Sequence, residues 1–124
     1  MKKDAIIKIV SMQSTENGTE SGEMSVVGTV EHENGKSVIN YVENNAETGP
    51  ENTSITIIDG ESVSIIREGA FSSEMTVEKN HRHHTFYKTP YGEFTMGIYG
   101  NQVEWSKDDK GAVLKMRYSL DFNN

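Results

Sequence analysis

The chain of 124 residues contains no cysteine, which excludes disulfide bonds and thiol chemistry. It also lacks long apolar runs, and no stretch approaches the ~20 apolar residues that a membrane helix needs. The opening MKKDAIIKIVSMQ is basic, but Asp4 and Lys8 interrupt its apolar residues too early for a signal peptide. We therefore expect a cytoplasmic protein that makes no use of a membrane and whose first strand begins near Ala5.

Positive charge is scarce. Twelve Lys and Arg stand against nineteen Asp and Glu, which gives a net charge of -7, and no run of Lys or Arg forms a basic patch. Such a surface repels phosphate backbones. Nucleic acid is therefore not an expected partner.

Recognisable catalytic patterns are also missing. The chain has no Gly-x-Ser-x-Gly elbow, no phosphate-binding glycine loop that leads into a helix, and no His-Glu-x-x-His. Its many glutamates, such as Glu74 and Glu93, fall mostly opposite the apolar face, where solvent-facing acidic residues are normal. The sequence thus predicts no catalytic residue and no cofactor, and an enzyme of unrecognised type remains an alternative.

The dominant pattern is an alternation of apolar and polar residues with a period of two, without the i, i+3, i+4 stripe of a helix. Asn34-Gly35 and Gly60-Glu61 are turn signals. The predicted strands are Ala5–Met12, Met24–Glu33, Lys36–Glu43, Thr53–Asp59, Ser62–Arg67, Ser72–Glu78, His83–Thr89, Gly92–Tyr99, Gln102–Lys107 and Ala112–Phe122.

Short strands joined by tight turns favour an antiparallel meander, and closing it into a barrel removes both exposed sheet edges. We therefore predict an all-β protein with one antiparallel barrel of about eight to ten strands over residues 1–124. Gly28 suggests a bend or bulge. Ser14–Ser21 and Asn44–Asn52 are expected to be loops at a barrel mouth. The predicted core residues are Val63, Ile65, Met75, Val77, Phe94, Met96, Ile98, Leu114, Met116, Tyr118 and Leu120.

The segments TSITIIDGESVSIIREGAFSSEMTVEKN, HHTFYKTPYGEFTMGIYG and GAVLKMRYSLDFNN carry a family likeness. With Arg67, Gly69, Met75 and Thr89–Gly92 as its more specific marks, the whole chain resembles the YwiB-like family of uncharacterised bacterial β-barrel proteins. That family is grouped by fold with lipocalins and other calycins. The resemblance implies a lipocalin-like barrel and adds no mechanism.

Members of that family usually continue past the LDFNN-like stretch into a further strand, whereas this chain stops at Asn124. If that strand is absent, Ala112–Phe122 or the first strand exposes unpaired backbone groups. Exposed edges recruit partner strands. We therefore expect a symmetric homodimer.

Arg67 is the first candidate for a binding residue, because it follows Val63 and Ile65 on one face of its strand. A guanidinium at the end of an inward apolar row needs a carboxylate, a carbonyl or a ligand anion. One interpretation is an anion-recognition arginine at a barrel mouth. The other is a structural arginine that is paired with Glu43, Asp59 or Glu78.

The segment His81-Arg82-His83-His84, with His32 elsewhere, is the second candidate. Two histidines two residues apart share a strand face and can bind zinc or nickel. No third ligand has a recognisable spacing, however, and Arg82 adds a cation. A solvated hairpin turn centred on Asn80-His81 is the alternative, and no metal site is predicted.

Hydroxyl-bearing and aromatic residues near Pro90 form the third group. They can line a small-molecule pocket or fill the inside of a small barrel, and Thr89–Gly92 also has the composition of a hairpin turn. The leading hypothesis is a non-enzymatic module that binds a small apolar or anionic molecule. An interaction protein that pairs through an open sheet edge is the alternative. The predicted ligand-binding residues are Arg67, Tyr87, Thr89, Tyr91 and Trp105.

Overall fold

Nine β-strands make up most of the chain in the computed structural model, which describes residues 2–47, 49–70, 72–89, 91–109 and 111–122. No helix in these ranges is long and apolar enough to span a bilayer. The strands are β1 (Lys2–Thr15), β2 (Gly18–Glu33), β3 (Lys36–Asn45), β4 (Gly49–Ile58), β5 (Ser62–Glu68), β6 (Ser72–Glu78), β7 (Arg82–Thr89), β8 (Gly92–Lys107) and β9 (Ala112–Asp121).

The strands pair in chain order and close into a barrel, so the predicted all-β barrel is confirmed. Successive strands are antiparallel, but the closing pair of β1 and β9 is parallel, from Ile7 opposite Ala112 to Ser14 opposite Ser119. The reason is the odd strand number, because the first and last of nine alternating strands point the same way. The predicted open edge at Ala112–Phe122 or the first strand is therefore wrong.

One predicted pair of strands is a single strand. Gly92–Tyr99 and Gln102–Lys107 both belong to β8, whose pairing with β9 shifts register between Gly100 and Gln102. A Cβ at Gly100 would overlap the backbone of Glu78. The residue at this irregularity therefore has to be glycine for β8 to pass so close to β6.

Both predicted loops are shorter than expected. The β1–β2 ladder continues to Thr15 opposite Gly18, and the β3–β4 ladder continues to Asn45 opposite Gly49. Ser14–Ser21 and Asn44–Asn52 therefore belong largely to strands. Their polar sequences hide this because these strand ends bury neither face, so no apolar alternation is required.

The core consists of the inward rows of the strands. The predicted residues Val63, Ile65, Val77, Ile98, Leu114, Met116 and Tyr118 are buried in it. The first four strands add Ile7, Ile9, Val30, Ile39, Tyr41, Ile55 and Ile57. Phe94 is 55% exposed, so its predicted place in the core is wrong. It lies near the start of β8, at the end of the barrel where the inward row is not covered.

The β1–β2 ladder runs without a break from Lys2 opposite Glu31 to Thr15 opposite Gly18, but the β2–β3 ladder is short. The β2–β3 ladder runs only from Glu33 opposite Lys36 to Thr29 opposite Asn40. It ends next to Gly28, where a bend or bulge is predicted and where a Cβ would overlap the carbonyl oxygen of Asn40. From Gly28 back to Gly18, β1 is the one strand of the described ranges that pairs with β2.

This close approach predicts a difference between two glycines on the same strand face. We expect Gly28→Ala to lower the free energy of unfolding by about 1–3 kcal/mol, because the new methyl group must displace backbone. Gly22→Ala is the matched control, since the nearest atom to its Cβ is the Ser11 hydroxyl at 3.5 Å. There the free energy should stay unchanged or rise by up to about 1 kcal/mol. Denaturant melts that gave equal values for the two variants would contradict this account.

Candidate functional site

A cavity of about 300 Å³ lies inside the barrel, towards the end that carries the Glu16-Asn17 turn. We call it the Arg67 cavity. Its apolar lining comes from inward residues of β1, β2, β4, β5, β6 and β9, namely Ile9, Met24, Ile55, Ile65, Met75 and Met116. Its other lining residues are Ser11, Gly22, Glu23, Tyr41, Arg67 and Tyr118.

Arg67 reaches the cavity because the inward row of β5 runs from Val63 through Ile65 to Arg67. It is half-buried and lies opposite Thr53 on β4 and Ser73 on β6. Among the residues that the structure describes, none forms a hydrogen bond or an ion pair with its guanidinium. The charge on Arg67 therefore faces a mostly apolar space, and no counter-ion for it lies among the described residues.

None of the three carboxylates considered as partners of Arg67 forms an ion pair with it in the described ranges. Asp59 lies at the opposite end of the barrel, where its carboxylate accepts a hydrogen bond of 3.3 Å from the backbone N–H of Trp105. Glu78 lies at that same end and bonds to His83. Glu43 is on β3 at the cavity end, but within the described ranges it makes no ion pair with Arg67. The interpretation that Asp59 or Glu78 neutralises Arg67 is wrong.

Tyr118 supplies a hydroxyl to the same cavity. Its phenol donates a hydrogen bond of 3.1 Å to the side-chain carbonyl of Gln13. Burial raises the pKa of Tyr118, the neighbouring Tyr87 raises it further, and the positive charge of Arg67 acts in the opposite direction. The phenol is therefore held neutral, within the electrostatic reach of both predicted residues.

The hydroxyl of Thr53 on β4, unlike that of Tyr118, has no hydrogen-bond partner among the described residues. Thr53 is 2% exposed, and its Oγ1 is the buried side-chain oxygen that makes no hydrogen bond in the described part of the chain. The ladders place it between Tyr41 and Arg67. A buried hydroxyl without a hydrogen bond costs about 1–3 kcal/mol, so this row has a polar group that no described residue satisfies.

The other predicted binding residues are not gathered at this cavity. Tyr87 is half-buried and close enough to act on Tyr118, but it is not part of the lining. Tyr91 is 90% exposed beyond the end of β7. Trp105 packs against the core next to Leu114, near the opposite end. The side chain of Thr89 lies outside the described residues.

Comparison with known proteins supplies a family. Residues 7–124 match the model of a domain of unknown function, DUF1934. The chain belongs to this family. Among curated proteins, none matches it in sequence. The crystal structure of the ywiB protein from Bacillus subtilis has a similar fold, with a TM-score of 0.71 and 17% sequence identity. The match covers 98% of this chain and 79% of the other. The resemblance to the YwiB-like family inferred from sequence is thus confirmed.

Several lining residues of this DUF1934 protein were not assigned to a site from sequence. The alternation predicts Tyr118 and Met116 as core residues and indicates no role for Tyr41. The usable signal was the inward row of β3, because Tyr41 follows Ser37 and Ile39 at the same period of two. That Tyr118 shares a cavity with Arg67 depends on barrel closure, which brings distant strands together.

The histidine segment forms a hydrogen-bonded turn at the end of the barrel opposite the cavity. Asn80 has a positive φ of 65°, as the predicted turn requires. Glu78 accepts a hydrogen bond of 2.6 Å from His83 and lies 3.4 Å from His81. Arg82 is bidentate on Asp121. Within the described ranges, no group of three or more His, Asp or Glu residues is arranged to hold a metal ion.

A larger space of about 550 Å³ lies at that end, between β1, β2 and the β8–β9 connection. Its charged lining residues are of both signs, two lysines and three aspartates: Lys3, Asp4, Lys107, Asp108 and Asp109. All of them are exposed. His32 also borders this space and hydrogen-bonds to Ser37 at 2.8 Å. These groups favour no single charge type of ligand, unlike the Arg67 cavity.

The missing counter-ion predicts a small effect of Arg67 on stability. We expect Arg67→Met to change the free energy of unfolding by less than about 1 kcal/mol, because no described residue loses a hydrogen bond or an ion pair. Arg82→Met is the control for an exposed ion pair: it removes the bidentate contact to Asp121 and should be only slightly destabilising, because exposed ion pairs contribute little to stability. A loss of about 3–5 kcal/mol in denaturant melts of Arg67→Met would instead mean that Arg67 neutralises a buried carboxylate.

The turn predicts a pH dependence. The hydrogen bond from His83 lowers the pKa of Glu78, burial opposes this, and the charges of His81 and His83 lower it further. A carboxyl group whose pKa is lower in the folded state stabilises the fold at pH values above its unfolded-state pKa of about 4.3. This stabilisation is lost as the pH falls through the folded-state pKa. The stability difference between the wild type and Glu78→Gln should therefore shrink in acid. A constant difference across that pH range would contradict this assignment.

Proposed function

We propose that this protein is a non-enzymatic module that binds a small amphipathic anion in the Arg67 cavity. The observation that carries the proposal is the half-buried guanidinium on a mostly apolar wall without a partner among the described residues. An uncompensated charge is costly to remove from water, so a site that keeps one gains most when an anion arrives. The unpaired hydroxyl of Thr53 beside it is a further sign of unmet polarity.

The apolar lining indicates what the rest of the ligand is like. Met24, Met75 and Met116 contribute flexible, polarisable side chains that adjust to irregular shapes. A volume of about 300 Å³ is at the lower end of the range for ligand pockets. The ligand is therefore a small molecule with an apolar body.

The charges around the cavity favour a single negative charge on the ligand. Arg67 is the cationic lining residue, and Glu23 at the rim is paired with Lys8 at 3.1 Å. The chain as a whole carries a charge of -7, which disfavours polyanions. A carboxylate suits one guanidinium because its two oxygens accept two parallel hydrogen bonds.

Native mass spectrometry of protein purified from a cell extract tests the proposal while the ligand is still unidentified. We expect a reproducible mass excess on the wild type and on Arg82→Met, and none on Arg67→Met. A bare wild-type mass, together with no thermal shift in a panel of small carboxylates, would overturn the proposal.

A matched pair of probes tests the role of the charge. Saturated monocarboxylic acids should bind more tightly than primary alcohols of the same chain length. Loss of charge-assisted hydrogen bonds worth about 1.5–3 kcal/mol should weaken acid binding to Arg67→Met about 10–100-fold. Alcohol binding should change little. Equal losses for acids and alcohols would mean that Arg67 does not contact the anionic group.

A further inference from the structure

One side of β2 has no partner strand over a long stretch. From Gly18 to Gly28, β2 pairs residue by residue with β1, whereas its ladder with β3 begins only at Thr29 opposite Asn40. Elsewhere in the described ranges, no strand pairs with this side of β2. We call residues 18–28 the open edge.

Hairpin geometry identifies the unpaired groups. Glu33 and Lys36 close the two-residue Asn34-Gly35 turn, and such a closing pair exchanges both of its main-chain hydrogen bonds. Alternate residues of β2, counted back from Glu33, therefore direct N–H and C=O towards the β3 side. Along the open edge these residues are Thr19, Ser21, Glu23, Ser25 and Val27.

The open edge lacks the usual protection against strand pairing. Its sequence GTESGEMSVVG contains no Lys, Arg or Pro, and its register with β1 shows no bulge. Its charges are Glu20 and Glu23, and Glu23 is compensated by Lys8. Val27 is 74% exposed, and Val42, on the strand that has separated from it, is 56% exposed. This combination favours covering by another strand.

We propose that a second copy of this chain covers the open edge, with the two β2 strands antiparallel about a two-fold axis. The same groups then meet on both sides, so that each edge satisfies the other and the combined sheet gains no new edge there. A single extended peptide bound there would instead leave the N–H and C=O groups on its far side unpaired. The dimer thus forms through β2, because β9 is already paired on both sides.

Charge excludes one central register of this pairing. An axis at Glu23 would place two carboxylates face to face, which is unfavourable. An axis at Gly22 places Glu20 opposite Met24 and Glu23 opposite Ser21. An axis at Met24 places these glutamates opposite Gly28 and Ser25. Both of the latter registers keep the unpaired residues opposite one another.

A proline at the edge tests the proposal. The N–H of Ser21 points away from β1, so Ser21→Pro removes a donor from the edge but leaves the β1–β2 ladder intact. Ser21→Ala keeps that donor and is the matched control. We expect sedimentation velocity to show dimers for the wild type and Ser21→Ala, and monomers for Ser21→Pro. Added salt should strengthen the dimer, because each copy carries a charge of -7. A monomeric wild type at near-millimolar concentration would overturn the proposal.

Amide hydrogen exchange of the wild type locates the contact even if Ser21→Pro does not fold. In the proposed dimer, the amides of Ser21, Glu23 and Ser25 should exchange as slowly as those of Gly22 and Met24, which bond to β1. A dimer in which only the latter two amides are protected would show that another surface makes the contact, and the proposal would fail.

Discussion

The parallel pairing of β1 with β9 is the constraint on which the rest of the structure depends. A meander of nine strands can close only if its first and last strands lie side by side in the same direction. Parallel pairs are slightly less stable per residue than antiparallel ones, but the alternative leaves two strand edges with unpaired backbone N–H and C=O groups. Closure also places Met116 of β9 opposite Ser11 of β1 and Tyr118 opposite Gln13, which completes the wall of the Arg67 cavity.

Two neighbouring strand pairs, β2–β3 and β6–β7, are hydrogen-bonded over only part of their length. Among the described residues, side-chain hydrogen bonds bridge the unpaired part of β6–β7 but not that of β2–β3. The β6–β7 ladder covers Ser72–Glu74 alone, but next to it the Thr85 hydroxyl donates a hydrogen bond of 2.7 Å to the Glu74 carbonyl. Further along, Glu78 holds His83 across the turn. The β2–β3 seam beyond Gly28 has no comparable bonds in the same ranges. Its backbone groups remain available, and the cavity lies directly beneath.

The sequence predicts the features of this fold that depend on neighbours along the chain. The period of two places Val63, Ile65 and Arg67 on one face, and Asn34-Gly35 gives a hairpin with both φ angles positive, 52° and 78°. It fails where alternation is not needed, as at Ser14–Ser21, whose residues are exposed on both faces for much of their length. The sequence pattern also does not show that Gly92–Tyr99 and Gln102–Lys107 form one strand, because the alternation is interrupted at Gly100, where the register shifts. The sequence pattern therefore does not show that the number of strands is odd, nor that the first and last strands pair in parallel. The grouping of Arg67 with Tyr118 rests on that non-local fact, whereas the predicted grouping with Trp105 assumed that residues near the Pro90 turn stay together.

The separation of β2 from β3 at Gly28 gives the two proposals a common structural cause. Three consecutive residues of the open edge also line the cavity: Gly22, Glu23 and Met24. A strand added along β2 would therefore lie beside the cavity wall and restrict how Met24 adjusts to a ligand. Two binding events that share residues in this way change each other's affinity by the same factor. If both proposals hold, ligand binding and self-association must be coupled, and the sign of the coupling depends on whether the added strand narrows the cavity or rigidifies it in its ligand-bound shape. A coupling of zero would require that Gly22–Met24 keep one conformation in all four states, which is the behaviour least expected of a strand that is paired on one side only.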